Sequence, residues 1–197
     1  MPRIIAGKAR GTQLNAPPGR DTRPTADRTK EALFSILAPR LADARFLDLF
    51  AGSGQIGLEA LSRGVAEAVI VENERRAVQI IRGNLAKTHL TEAARVMAMS
   101  AAAALKLLSA EVAEGTKLPF DIIFLDPPYA NAHASLAKLA AMLPLATDGI
   151  LILEHESNQP APVNVTCLQL VRSCKYGTAM LSFYRIYDDQ HGAELKD

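Results

Sequence analysis

Asp126-Pro127-Pro128-Tyr129 is the run in this 197-residue chain whose residue types most directly imply chemistry. Two prolines after an acid cannot extend a helix or a central strand, so they fix a rigid turn. The turn follows Phe120–Leu125 (FDIIFL), which reads as a buried strand. An exocyclic amine on a nucleobase is a poor nucleophile, because its lone pair is delocalised into the ring. The Asp126 carboxylate and the Pro127 carbonyl would accept its two N–H groups and localise that pair for direct, in-line attack. Asp126 would also take up the released proton. Tyr129 offers a ring face for stacking on the base, worth about 1–3 kcal/mol. Alone, such a run is most often a plain turn; a second motif makes the chemical reading specific.

That second motif is DLFAGSG, from Asp48 to Gly54, again after an apolar run. Gly52, Gly54 and Gly57 form G-x-G-x-x-G, and Glu72 follows Gly52 by 20 residues. By itself the spacing points to a dinucleotide. Asp48 argues against that, since a carboxylate facing the loop would repel a pyrophosphate and attract an ammonium. The sign of the charge favours S-adenosylmethionine over NAD. Gly52 and Gly54 let the backbone approach a ligand, and Glu72 can accept both ribose hydroxyls. The bland readings are a helix-capping acid for Asp48, a strand-end surface acid for Glu72 and core packing for Phe50. Phe50 reads as core, although its place in the motif keeps it in the cofactor set.

Alternating elements must position these motifs. Arg45–Phe50, Ala68–Val71, Arg95–Met99, Phe120–Leu125 and Ile150–Glu154 read as strands. Helices are expected at 55–62, 74–88, 101–113 and 132–143. Val165–Val171 and Met180–Tyr187, joined through Lys175-Tyr176-Gly177, read as an antiparallel edge pair. The expectation is an α/β fold, a seven-stranded, mostly parallel sheet with helices on both faces. Before it, Arg3–Ala6 and Thr12–Leu14 suggest a hairpin around Gly7 and Gly11, and Thr25 a cap for a helix over 26–37. Residues 1–40 thus read as a hairpin-and-helix extension, 41–190 as the catalytic domain and 191–197 as a tail.

Composition narrows the class. Hydrophobic residues make up 49% of the chain, enough for one real core. No apolar run approaches the roughly 20 residues of a membrane span, and the amino terminus lacks a secretory signal, so a cytoplasmic protein is expected. Cys167 and Cys174 read as buried packing residues in a reducing compartment. His89, His133, His155 and His191 show no ligand spacing, so no metal is expected. Net charge is +1, but residues 1–40 hold eight Lys/Arg against three acids. Such an end is a candidate polyanion-binding arm, or a solvated surface.

With both motifs placed, the chain resembles class I S-adenosylmethionine-dependent methyltransferases and, more narrowly, the bacterial RsmD family. The segments carrying the likeness are RIIAGKARGTQL (Arg3–Leu14), RPTADRTKEALFSIL (Arg23–Leu37), DLFAGSGQIGLEALSRG (Asp48–Gly64), VEN (Val71–Asn73), FLDPPY (Phe124–Tyr129) and YGTAMLSFYR (Tyr176–Arg185). The resemblance implies a Rossmann-like fold and methylation of a guanine N2 in 16S rRNA, within an assembling or assembled small ribosomal subunit; no apolar stripe in the sequence calls for a partner, so a monomer is expected. It implies cofactor contacts at Asp48, Phe50, Gly52, Gly54, Glu72, Asn73 and Asp126. Asp126, Pro127 and Tyr129 would hold the base, and the Arg23–Lys30 segment would close over cofactor and RNA. Lys8, Arg10, Arg23, Thr25 and Arg28 form the candidate RNA set. Many related enzymes carry an acid after the third strand to bind the adenine amine; here Ser100 is the nearest candidate. The rival functions are a DNA adenine-N6 or protein glutamine-N5 methyltransferase, an NAD-dependent oxidoreductase and a silent RNA-binding protein.

Overall fold

The structure, a computed structural model, describes residues 2–17, 24–128 and 132–187, with 24–26 as backbone only. The helices are α1 (Pro24–Leu37), α2 (Gln55–Ser62), α3 (Arg75–Thr88), α4 (Ala101–Ala113) and α5 (Ala132–Leu139). The strands are β1 (Arg45–Leu49), β2 (Glu67–Glu72), β3 (Ala94–Ala98), β4 (Phe120–Leu125), β5 (Leu145–Glu156), β6 (Asn164–Val165), β7 (Leu168–Tyr176) and β8 (Ala179–Ile186). They form one sheet in the order β3-β2-β1-β4-β5-β8-β7-β6. β3 to β5 pair in parallel around β1 and β4, while β8, β7 and β6 pair antiparallel at one edge. The expected seven strands are joined at that edge by the two-residue β6.

Every residue of β1 is buried, as a strand covered on both faces requires. Alternation sends Phe46 into a core shared with α1, α2 and α3, through Phe34, Leu58 and Ile81. Leu47 and Leu49 enter the opposite core with Leu105 of α4 and Leu136 of α5. Asp48 lies between them in sequence and therefore points to the α2 side.

Several boundaries move. α1 begins at Pro24, where a missing N–H costs nothing, so Thr25 lies inside the helix rather than before it. The expected strand over 165–171 divides: Thr166, at φ 51°, breaks it, and β7 continues to Tyr176. The β7–β8 turn is Gly177–Thr178, with Gly177 at φ 62°. Cys167, on the 166–167 turn, is exposed and Cys174 half-buried, so neither is the expected core residue. Among the described residues no helix is long and apolar enough to cross a membrane, and no cluster could hold a metal.

The amino-terminal hairpin carries a single bridge, Arg3 with Gln13, and lies across α2 and α3. Ile4 and Leu14 are fully buried in the core of the first face. Glu59 of α2, itself inaccessible, accepts from the backbone N–H groups of Ile5 at 2.8 Å and Ala6 at 3.0 Å. Ser62 Oγ accepts from Ala9 N and donates to Ala6 O. At Gly7 any Cβ would fall 1.8 Å from Ser62 O, so only glycine permits this approach.

Candidate active site

β1 and β4 are neighbours, yet the chain leaves β1 toward β2 and leaves β4 toward β5, on opposite sides. Such a switch point opens a crevice at the carboxyl ends of the strands, where ligands of open α/β sheets bind. Both motifs lie there. Asp126 N donates to Leu49 O at 3.4 Å, holding the end of β4 against β1. Asp48 and Asp126 line one cleft, together with Phe50, Ser53, Ala16 and Pro17.

Asp48 is 1% exposed. Its Oδ2 accepts from Gly57 N at 2.9 Å, satisfying one of the open N–H groups of the first turn of α2. Burial pushes the carboxyl up to about 7; the Gly57 N–H opposes that rise and the nearby Glu72 charge adds to it. Gly57 makes the contact possible, since a Cβ there would stand 2.8 Å from Ile70 Cγ1 and 3.3 Å from Asp48 Oδ2. The capping and ligand readings of Asp48 are therefore compatible: the acid caps α2 and faces the cleft.

Glu72 binds the glycine loop to the start of α3. Its Oε2 accepts from Gly52 N at 2.8 Å, and Oε1 from the N–H groups of Asn73 at 2.8 Å and Glu74 at 2.9 Å. An ionised carboxylate has about four lone-pair sites, so three such bonds leave capacity for a ligand hydroxyl. Between the two acids the loop turns through left-handed backbone at Gly52 (φ 58°) and Gly54 (φ 76°). Phe50 does so as well, at φ 68°, which for a bulky residue costs about 1–3 kcal/mol. Half-buried, it packs on the α4–α5 core and also borders the cleft.

Two parts of the site escaped the sequence. Ala16 and Pro17 wall the cleft, although they belong to neither motif. Asn84 of α3, completely buried, donates through Nδ2 to Ser53 O of the glycine loop at 3.0 Å and to Asn15 O at 2.9 Å. Its Oδ1 accepts from Asn15 N at 2.8 Å. One carboxamide thus fixes the loop and the Asn15–Pro17 segment together. Its signal was a carboxamide on the buried arc of an amphipathic helix.

The remaining candidates are more scattered. Ser100 caps α4, its Oγ accepting from Ala103 N at 3.3 Å. Asn73 is exposed at the end of β2. Pro127 is buried and Pro128 exposed; Arg23 and Tyr129 lie outside the described residues. Lys8, Arg10 and Arg28 are exposed. Lys30 is not: at 2% exposure it donates to Arg3 O at 2.6 Å and faces Glu59 at 3.8 Å. Burial lowers its pKa, while the Glu59 charge opposes that. It seats the hairpin and does not belong to a substrate-closing surface.

Comparison with known proteins gives a consistent answer. The family model described as conserved hypothetical protein 95 matches residues 2–185. The chain is 45% identical over 194 residues to the ribosomal RNA small subunit methyltransferase D of Escherichia coli, covering 98% of this chain and 92% of that one. The protein of the same name from Haemophilus influenzae is 34% identical over 196 residues, covering 95% and 93%. Among solved structures, a hypothetical protein of Thermus thermophilus superposes with a TM-score of 0.79 at 35% identity, covering 94% of this chain and 100% of that one.

Proposed function

The chain belongs to the conserved hypothetical protein 95 family, the RsmD family of S-adenosylmethionine-dependent methyltransferases, and from that premise we propose that it methylates the exocyclic N2 amine of a guanine in 16S ribosomal RNA. It is a methyltransferase with S-adenosylmethionine as its cofactor. The observation that carries the finer reading is the meeting of Asp48 and Asp126, from separate motifs, in one cleft at the switch point of the sheet.

The residues present fit the cofactor. Bound S-adenosylmethionine supplies a methyl group activated on a positively charged sulfur. Asp48 offers a buried carboxyl whose ionised form an adjacent ammonium would favour. Glu72, and Asn73 beside it, suit the ribose hydroxyls. Gly52, Gly54 and Phe50 shape the loop, and the Ser100 hydroxyl is the acceptor nearest in sequence for the adenine amine. Asp126 and the Pro127 carbonyl accept the two N–H groups of the target amine, orienting its lone pair, and Tyr129 stacks on the base. Asp126 would then take the proton released as the N–C bond forms and the methyl–sulfur bond breaks, the bonding pair leaving with the sulfur.

In the same reading residues 1–40 serve as an RNA-facing extension on the 41–190 catalytic domain, with Lys8, Arg10, Arg23, Thr25 and Arg28 toward the backbone. The substrate is RNA within an assembling or assembled small subunit, and the enzyme acts as a monomer in the cytoplasm. The test is labelled methyl transfer to small subunits lacking the modification, followed by mapping of the nucleotide. Label at a guanine N2 of 16S rRNA is expected. Label appearing only in DNA or in protein glutamine would replace this reading with another exocyclic-amine or amide substrate.

A further inference from the structure

Resting on the RNA reading above, the geometry points to the outer face of α3 as a phosphate-binding track for the ribosomal RNA substrate, continued by the hairpin that lies across it. The helix sequence RRAVQIIRGNLAKT contains four cations and no acid. Arg75 and Arg82 are seven residues apart and share one row of the helix; Arg76 and Lys87, eleven apart, share a second. Exposed Gln79, Gly83 and Ala86 lie between the rows, while Ala77, Val78, Ile81, Asn84 and Leu85 form the buried arc opposite. Among the described residues the side chains of Arg75, Arg76 and Arg82 make no ion pair or hydrogen bond. Lys87 Nζ donates to the neutral Gln13 carbonyl at 2.6 Å, which joins α3 to the hairpin and leaves the charge unneutralised. The hairpin then adds exposed Lys8 and Arg10.

Two features of α3 work against its own stability and have no packing explanation. Arg75 and Arg76 occupy the first turn, at the positive end of the helix dipole, where cations are disfavoured. Gly83 sits in the middle of the helix, where glycine is a poor former, and a Cβ there would meet nothing within 4 Å. A polyanion accounts for both. The arginines supply fork-shaped donors suited to phosphate oxygens, and the small residues between the rows let a backbone approach. Near neutral pH no acid of α3 itself opposes it. Glu74 is the exposed acid at the helix start, and Glu72 is engaged with backbone N–H groups.

The test compares wild-type enzyme with the R75Q/R76Q/R82Q variant in methylation of small subunits lacking the modification, at several salt concentrations. K106Q/K138Q, which neutralises exposed lysines of α4 and α5 on the opposite face, is the charge control. The triple variant should raise KM at least about tenfold, keep kcat within about twofold, and flatten the dependence of log KM on log salt by roughly 2. Gly83→Glu, which sets an acid into open space between the rows, should raise KM in the same direction. Unchanged KM and salt slope in both α3 variants, with wild-type enzyme active on subunits, would overturn the proposal and leave the RNA reading intact. Wild-type enzyme inactive on every RNA tested would sink the RNA reading, and this inference with it.

Discussion

On one face of the sheet lie the hairpin, α1, α2 and α3; on the other lie α4 and α5. The first face buries Lys30, Glu59, Ser62 and Asn84 among its apolar residues. The buried residues of α4 and α5 are alanines and leucines throughout. Apolar burial is non-directional, so it can hold a helix against a sheet without fixing its neighbours to a fraction of an ångström. Hydrogen bonds at 2.6–3.0 Å do fix them, and here they connect the hairpin, the glycine loop and α3. The contrast teaches that α2 and α3 meet the hairpin and the glycine loop through polar seams, whereas the buried arcs of α4 and α5 are apolar and that face keeps its polar pairs elsewhere, at Ser109 with Met142 and His155 with Ser182.

The sharpest way to test the working side of that contrast is at its centre. Asp126→Ala should cut kcat by about 10²–10⁴ while retaining RNA binding; turnover within twofold of wild type would remove Asp126 from the mechanism. Next in size is the hairpin seam. Glu59→Ala leaves two half-buried N–H groups without their acceptor and both Lys30 and Arg63 without their counter-charge, and should cost about 3–5 kcal/mol in urea unfolding. The matching half-buried, bidentate pair of the other face, Arg95 with Glu111 at 2.7 Å, keeps contact with water and should lose only about 1 kcal/mol on Glu111→Ala. Equal losses would break the comparison.

Asp48 gives a pH test. Its folded pKa, about 7, lies above the ordinary 3.8, so the folded state binds a proton that the unfolded chain has released. Stability therefore falls as pH rises from about 4 to about 7, by at most about 1.4 kcal/mol per unit from this group. Asp48→Asn should flatten that slope relative to wild type, and parallel stability curves would refute the assignment. Cofactor affinity should rise over the same range as the carboxyl ionises, with proton release visible by calorimetry. The smallest effect is on the cationic helix: Gly83→Ala should raise stability by up to about 1 kcal/mol, and a loss would mean that the glycine is needed by the fold.

The parts legible in the sequence were those with local causes. FDIIFL followed by two prolines can only be a buried strand ending in a turn, and DLFAGSG can only be a strand giving way to a helix through glycines. The partners that reach across the chain left no such mark. Glu59 and Ser62 meet residues more than fifty positions away, and Lys30 was counted among surface cations because a charge count carries no burial. Beyond residue 40 the chain holds 14 Lys/Arg against 18 acids, a balance that hides four cations on one helix. Ser100 caps α4, a role that nothing in VMAMSAAAAL tells apart from that of a ligand acceptor.

Asn84 has a consequence for biosynthesis. The segment it clasps leaves the ribosome ahead of the helix that clasps it, which follows some seventy residues later. Until α2 and α3 emerge, Ile4 and Leu14 have no burial site, and the nascent amino terminus must wait with its apolar side chains uncovered. Completion of the donor loop is thereby postponed until the earlier-made hairpin has been gathered in.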